Sequence, residues 1–184
     1  MKRLGQGALI TTVIAISIGA TACTGGHRTP DKPPTTPSLG ALSPDGSTGA
    51  QQQALEAYRG MWAAYAKAGL TANPDEPDLA RYTTADALAV LVKGLTTYRD
   101  AGHILKGDLV THPSIKDSGA SSDSSSIDVV DCLDDTRFLV YVAATGALLN
   151  DTPGGRRSTT AVVVDTGGNT WKVTSFAVKG VGTC

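Results

Sequence analysis

Three cysteines, a knot of aspartates and a handful of tyrosines and histidines are the side chains here whose types and spacing could do chemistry. Cys23 closes a run of small residues, Ala20-Thr21-Ala22, while Cys132 and Cys184 stand far from it and from each other. Neither Cys132 nor Cys184 has a close Cys or His at ligand spacing, so a zinc site is not expected. A catalytic thiol needs a lowered pKa and a neighbouring base, and the sequence shows neither for Cys132 or Cys184. Asp128, Asp131, Asp134 and Asp135 form the densest acidic cluster. Carboxylate oxygens suit a hard cation such as Ca²⁺, but an EF-hand needs a glycine at its sharp turn and a closing bidentate glutamate. Both are missing, and the cluster reads as a solvated turn between two strands. No metal and no cofactor are expected.

General acid/base chemistry in a cavity would need a carboxylate base together with a tyrosine or carboxylic acid that donates to a developing oxyanion. Tyr58, Tyr65 and Tyr98 are candidate donors, and Asp108, Asp128, His103 and His112 candidate polar partners. Their spacing pairs no base with any donor, and a tyrosine on a helix stripe is more readily core with its hydroxyl at the rim. Arg156-Arg157 follows Pro153-Gly154-Gly155 and reads as a basic loop tip, able to meet an anionic polymer but equally a solvated hairpin end.

The elements that would position these groups begin with a targeting segment. Lys2 and Arg3 precede Ala8–Ala20, which carries no charge, and small residues then lead to Cys23. That order is the pattern of a secretory signal peptide. The uncharged run is about thirteen residues, short of the roughly twenty that span a bilayer. Ala20-Thr21-Ala22-Cys23 resembles a bacterial lipobox, with Ala20 where leucine is usual. The resemblance implies cleavage before Cys23 and attachment of a diacylglycerol to its thiol, so that 1–22 is signal peptide and the chain is held extracytoplasmically on the cell membrane. Two acyl chains suffice for stable anchoring. Ordinary cleavage after the A-x-A sequence, releasing a secreted protein, is the alternative. Lipidation would also remove the odd thiol, leaving Cys132 and Cys184 as an even pair, for which a disulfide is the default in an oxidising compartment.

Residues 23–50 hold five of the nine prolines and almost no large apolar side chain, a composition that cannot bury enough surface to fold. They read as a tether of about 30 Å as a flexible coil and about 80 Å at full stretch. His27 in it reads as solvated. The formal net charge of −1 offers no clustered basic face, so nucleic acid is not an expected partner. Aromatics make up 5% of the chain, too few for extended sugar-binding platforms but enough for one pocket.

Residues 51–184 are the size of one domain. Leu55, Tyr58, Trp62 and Tyr65 fall on one face of a helix that Gly69 can stop. Pro77 suits the first turn of a short helix ending near Tyr82. Thr83 with Asp86 has the spacing of a capping box before the stripe Leu88, Leu91, Val92, Leu95 and Tyr98, and Gly102 suits a left-handed stop. Beyond it the period changes. Leu105–Thr111 can be extended, 117–126 is a polar turn, Ile127–Asp131 is a short strand, and Phe138, Val140 and Val142 alternate with Leu139 and Tyr141. Ala161–Asp165 and Trp171–Val178 flank Thr166-Gly167-Gly168-Asn169 as a hairpin. Helices first and strands later predict an α+β domain, N-terminal helices packed on a curved antiparallel sheet.

This order, ending in a hairpin with Trp171-Lys172-Val173, resembles the nuclear-transport-factor-2-like domains found in small actinobacterial lipoproteins. The resemblance implies a cone whose sheet wraps the helices and often leaves an apolar cavity, shared by isomerases, cyclases and non-catalytic binding or assembly domains. Fold alone does not choose among them. The expectation is a non-catalytic extracytoplasmic domain binding a small apolar ligand or an envelope protein, with Tyr58, Trp62, Tyr65, Leu91 and Tyr98 lining the pocket. A cavity enzyme and a structural subunit of an envelope assembly are the alternatives.

Overall fold

The computed structural model describes residues 48–116, 125–149 and 152–184. The signal segment, Cys23, His27, the tether as far as residue 47 and most of the polar turn lie outside them. Three helices come first: α1 (Gly49–Gly69), α2 (Pro77–Tyr82) and α3 (Ala85–Asp100). Six strands follow: β1 (His103–Lys106), β2 (Ser114–Ile115), β3 (Ser126–Asp134), β4 (Leu139–Val142), β5 (Arg156–Asp165) and β6 (Trp171–Val178). The domain is α+β, as the order of periodicities predicts. Its strands form two antiparallel sheets rather than one: a four-stranded β2-β3-β5-β6 and a two-stranded β1-β4.

Helix α1 is the element the rest is packed on. Its capping box is Thr48 with Gln51: the Thr48 N–H donates to Gln51 Oε1 at 2.7 Å and the Gln51 N–H to Thr48 Oγ1 at 3.4 Å. Together they satisfy two of the amide groups that a helix start leaves open. One face is buried by Ala54, Leu55, Ala57, Tyr58, Met61 and Trp62, where the alanines let the helix come close to the sheet and the large side chains fill between. These meet Val129, Leu133, Ala161, Val163 and Val173 from the strands and Leu91 and Leu95 from α3. Inward and outward residues alternate on β3, so Val129, Asp131 and Leu133 face the helices.

The capping box expected at Thr83 is not there. Thr84 is the N-cap of α3 and makes no side-chain cap bond, while the buried Thr83 hydroxyl turns back to donate to the Leu79 carbonyl at 2.6 Å. The reason is that this joint also docks on the sheet: Thr83 bridges Val173 in parallel, and the Thr84 N–H donates to the Val173 carbonyl at 3.0 Å. Gly102, at φ +71°, stops α3 in the left-handed conformation that its position predicts. At Gly69 the reason for glycine is space, since a Cβ there would lie 2.8 Å from Leu105 Cβ of β1.

Gly60 is a similar case with a measurable sign. A Cβ on it would lie 2.5 Å from the ring of Tyr82, which lies against α1 at that point. Alanine is favoured over glycine by about 0.5–1 kcal/mol in a helix interior, yet overpacking costs about 1–3 kcal/mol. Gly60→Ala is therefore expected to lower stability by about 1 kcal/mol in urea unfolding, the reverse of what helix propensity alone gives.

Candidate functional site

Two helices and both sheets meet around a cleft of about 330 Å³. Trp62 and Tyr65 enter from α1, one turn apart on the same face, and Tyr98 enters from the end of α3. Leu105 of β1, Leu133 of β3 and Phe138, just before β4, close the other side. The rings touch in sequence: Trp62 and Tyr65 edge-on at 6.2 Å, Tyr65 and Phe138 tilted at 6.1 Å, and Phe176 of β6 edge-on to Trp62 at 5.4 Å. Such geometries are the favourable ones for aromatic pairs. A sequence with few aromatics thus brings four of its nine large rings, Trp62, Tyr65, Tyr98 and Phe138, to one cleft.

One ion pair lines this apolar space. Arg157 Nε donates to Asp135 Oδ2 at 2.8 Å, and the Gly155 N–H donates to Asp135 Oδ1 at 2.6 Å. Both side chains are about one-quarter exposed, so the pair offers a polar edge beside the rings. This corrects the expectation of a basic loop tip: Arg156 and Arg157 begin β5, and Arg157 turns toward the cleft to meet Asp135. The signal in the sequence was the strand period, since Arg157, Thr159, Ala161 and Val163 alternate and the last three are buried.

Of the five residues expected to line a pocket, the structure brings Trp62, Tyr65 and Tyr98 together in the cleft. Tyr58 and Leu91 are placed in the core, at 0% and 3% exposure. Leu133 of β3, Phe138 before β4 and Arg157 of β5 complete the cleft and were not expected to line it, because a linear sequence does not display which strands become neighbours.

The acidic cluster is taken apart by the fold. Asp128, Asp131 and Asp134 belong to β3 itself, which runs past the expected strand end at Asp131, so the cluster is not a solvated turn between strands. Asp134 accepts from the Thr136 N–H at 2.9 Å, and Thr136's side chain and backbone hold the Asp134 carboxyl below its ordinary value. Asp131 faces inward. Its Oδ2 accepts from the Tyr58 hydroxyl at 3.0 Å and its Oδ1 from the His112 backbone N–H at 2.7 Å. Among the described residues no group of His, Cys, Asp or Glu is arranged to hold a metal ion. Among the described residues, the Tyr58–Asp131 pair brings together a donor and a carboxylate of the kind that acid/base chemistry would look for. Each is spent on the other, however, and neither lines the cleft. Asp108 instead pairs with Arg137 at 3.2 Å on the surface, and His103 sits in β1 opposite Val142.

Burial pushes the Tyr65 hydroxyl up to about 12, with neighbouring Tyr98 adding to the effect. Burial likewise raises Tyr58 well above its ordinary value, and Asp131 adds to that rise. A tyrosine in the unfolded chain titrates near 10, so between about pH 10 and 12 the folded state holds protons that the unfolded state has lost. These groups thus stabilise the fold fully below pH 10, and the contribution is lost as pH rises beyond it. Urea midpoints are expected to be flat to about pH 9 and to fall steeply above 10, with Tyr65→Phe making the fall shallower.

Cys132 and Cys184 form a disulfide, with Cα atoms 5.9 Å apart. No helix among the described residues is long and apolar enough to cross a membrane.

No family model matches the chain, and no curated protein matches it. Among solved structures, the intermembrane-space region of the chloroplast protein ARC6 is similar over 71% of this chain and 96% of that one, at 12% identity and a TM-score of 0.43.

Proposed function

We propose that this chain is a lipid-anchored extracytoplasmic binding protein whose domain takes a small, mainly apolar ligand in the cleft of Trp62, Tyr65, Tyr98 and Phe138. The observation that carries the reading is that cleft: aromatic walls around about 330 Å³ with a single polar edge at Arg157–Asp135. Small-molecule sites are commonly concave and apolar, with a few placed polar groups that set orientation. The cavity-enzyme alternative would draw on Tyr58 and Asp131, which are closed on one another inside the core. A protein partner from the envelope, in place of a small ligand, would insert a side chain among the same half-buried rings.

The anchor belongs to the same proposal and rests on the sequence: a basic start, an uncharged run, and Ala20-Thr21-Ala22-Cys23. The tether would then let the domain range over tens of ångströms from the membrane surface. Cys23→Ala is expected to move the protein from the membrane to the soluble fraction, and a variant that stays membrane-bound removes the anchor from the proposal.

Native mass spectrometry of the protein taken from its own envelope tests the cleft. The expected result is an adduct on the order of a few hundred daltons, the size such pockets hold, that is lost in Phe138→Ala and Tyr98→Ala. Bare protein from every preparation, or an adduct indifferent to both substitutions, would overturn the binding reading.

A further inference from the structure

Asp135 and Arg157 are the charged residues in the described lining of the aromatic cleft; the others are apolar or aromatic. On the reading of that cleft as a ligand site, what this pair leaves unused narrows the ligand.

Arg157 is fixed from two sides. Its Nε donates to Asp135 Oδ2 at 2.8 Å and its Nη1 to the Lys179 carbonyl at 3.4 Å. The C-terminal segment that supplies this carbonyl is itself held, by the Gly182 N–H on the Arg156 carbonyl at 2.8 Å and by the Cys132–Cys184 disulfide. Asp135 is held in turn by the Gly155 N–H. Nη2 of Arg157 has no hydrogen-bond partner among the described residues, and it is not sealed in the interior. A guanidinium donates and never accepts, so this free, positioned N–H group calls for an acceptor atom on the occupant of the cleft. The tyrosines of the lining impose no such choice, since a hydroxyl both donates and accepts.

Charge narrows the choice again. Asp135 already matches the Arg157 charge, and the described lining holds no third charged residue. A carboxylate on the ligand would reach Arg157 only beside the Asp135 carboxylate, and like charges brought so close are strongly disfavoured. An uncharged carbonyl oxygen accepts from the same N–H and leaves the pair neutral, so no unpaired charge is buried.

We infer that the cleft selects uncharged apolar molecules bearing a carbonyl group, whose oxygen accepts from Arg157 Nη2 while the body packs among Trp62, Tyr65 and Phe138. Carboxylates of the same shape are refused.

Acetophenone, ethylbenzene and benzoate are similar in size and shape and differ in the group that would face Arg157. Each is titrated into ¹⁵N-labelled full-length protein, with the Phe138, Gly155 and Lys179 amides as reporters. Wild-type protein is expected to bind acetophenone saturably and about tenfold more tightly than benzoate. Arg157→Met is expected to lower the affinity for acetophenone relative to ethylbenzene about tenfold, the worth of one hydrogen bond to a charged group. Asp135→Asn removes the competing carboxylate and is expected to raise benzoate relative to acetophenone about tenfold. Equal binding of acetophenone and benzoate by the wild type would overturn this ligand class while leaving the cleft a binding site. So would an acetophenone-to-ethylbenzene ratio that Arg157→Met leaves unchanged. Should that variant fail to fold, an unchanged benzoate-to-acetophenone ratio in Asp135→Asn would overturn it instead. If none of the three compounds moved the reporters, the cleft would fail as a binding site and the ligand class would fall with it.

Discussion

Asp131→Ala is expected to destabilise the domain by about 2–4 kcal/mol, because it strands the buried Tyr58 hydroxyl without an acceptor and also removes the acceptor of the partly buried His112 N–H. The Tyr58 hydroxyl, on a side chain with no exposure, and the His112 backbone N–H both end on this one carboxylate. Domains of this size are held by only about 5–15 kcal/mol in total, so the variant should unfold early in urea or fail to accumulate. Tyr58→Phe removes only one of the two bonds and keeps the ring in place, at a cost of about 1–3 kcal/mol. The double variant should cost less than the two separate losses combined, since residues in one hydrogen-bonded unit couple by about 0.5–3 kcal/mol. Strict additivity in that cycle would show that the pair does not act as a unit.

Breaking the Cys132–Cys184 disulfide has the second large effect. The two residues are 52 apart in sequence, and in the chain-entropy model closing such a loop stabilises by about 4 kcal/mol. The bond joins β3 to the segment after β6, which crosses the first residues of β5 on its way. The Lys179 N–H donates to the Ser158 carbonyl at 3.0 Å, the Gly182 N–H to the Arg156 carbonyl at 2.8 Å, and the Ser158 N–H to Thr183 Oγ1 at 2.9 Å. In Cys132→Ser/Cys184→Ser protein a loss of about 4 kcal/mol is expected. Hydrogen exchange should quicken first at Lys179 and Gly182. If the urea midpoint were unchanged, the cross-link would contribute nothing to the fold.

The helices were legible because their signals are local. Four residues of α1 at helical spacing, Pro77 at the first position of α2 and Gly102 after α3 each describe the chain within a turn or two of themselves. Strands β4 and β6 and the turn between β5 and β6 could be read for the same reason. What could not be read was which strand lies beside which. β5 begins at Arg156, where glycines and adjacent arginines imitate a loop, and it is a strand because Cys132, Leu133 and Asp134 of β3 lie opposite it. Strand β2, two residues long, exists only through its pairing with Val129 and Val130. The cleft was half legible on the same principle: its helical wall of Trp62, Tyr65 and Tyr98 follows from periodicity, whereas Phe138 and Arg157 reach it through tertiary pairing. Tyr58 shares the helix stripe with Trp62, but its turn of the helix faces Asp131 rather than the opening, and no spacing rule carries that depth.

The joint between α2 and α3 has a consequence for how copies of this domain behave when crowded. A strand at the border of a sheet is a template on which another chain can add its own strand, and proteins commonly blunt such borders. Here the Thr83–Val173 bridge and the Thr84 N–H occupy the Val173 end of β6, and the Lys172 ammonium is fixed beside it on Ala80. An incoming strand would have to displace a helix-to-helix connection before it could pair there. Strand addition by another copy is therefore hindered at that end of β6.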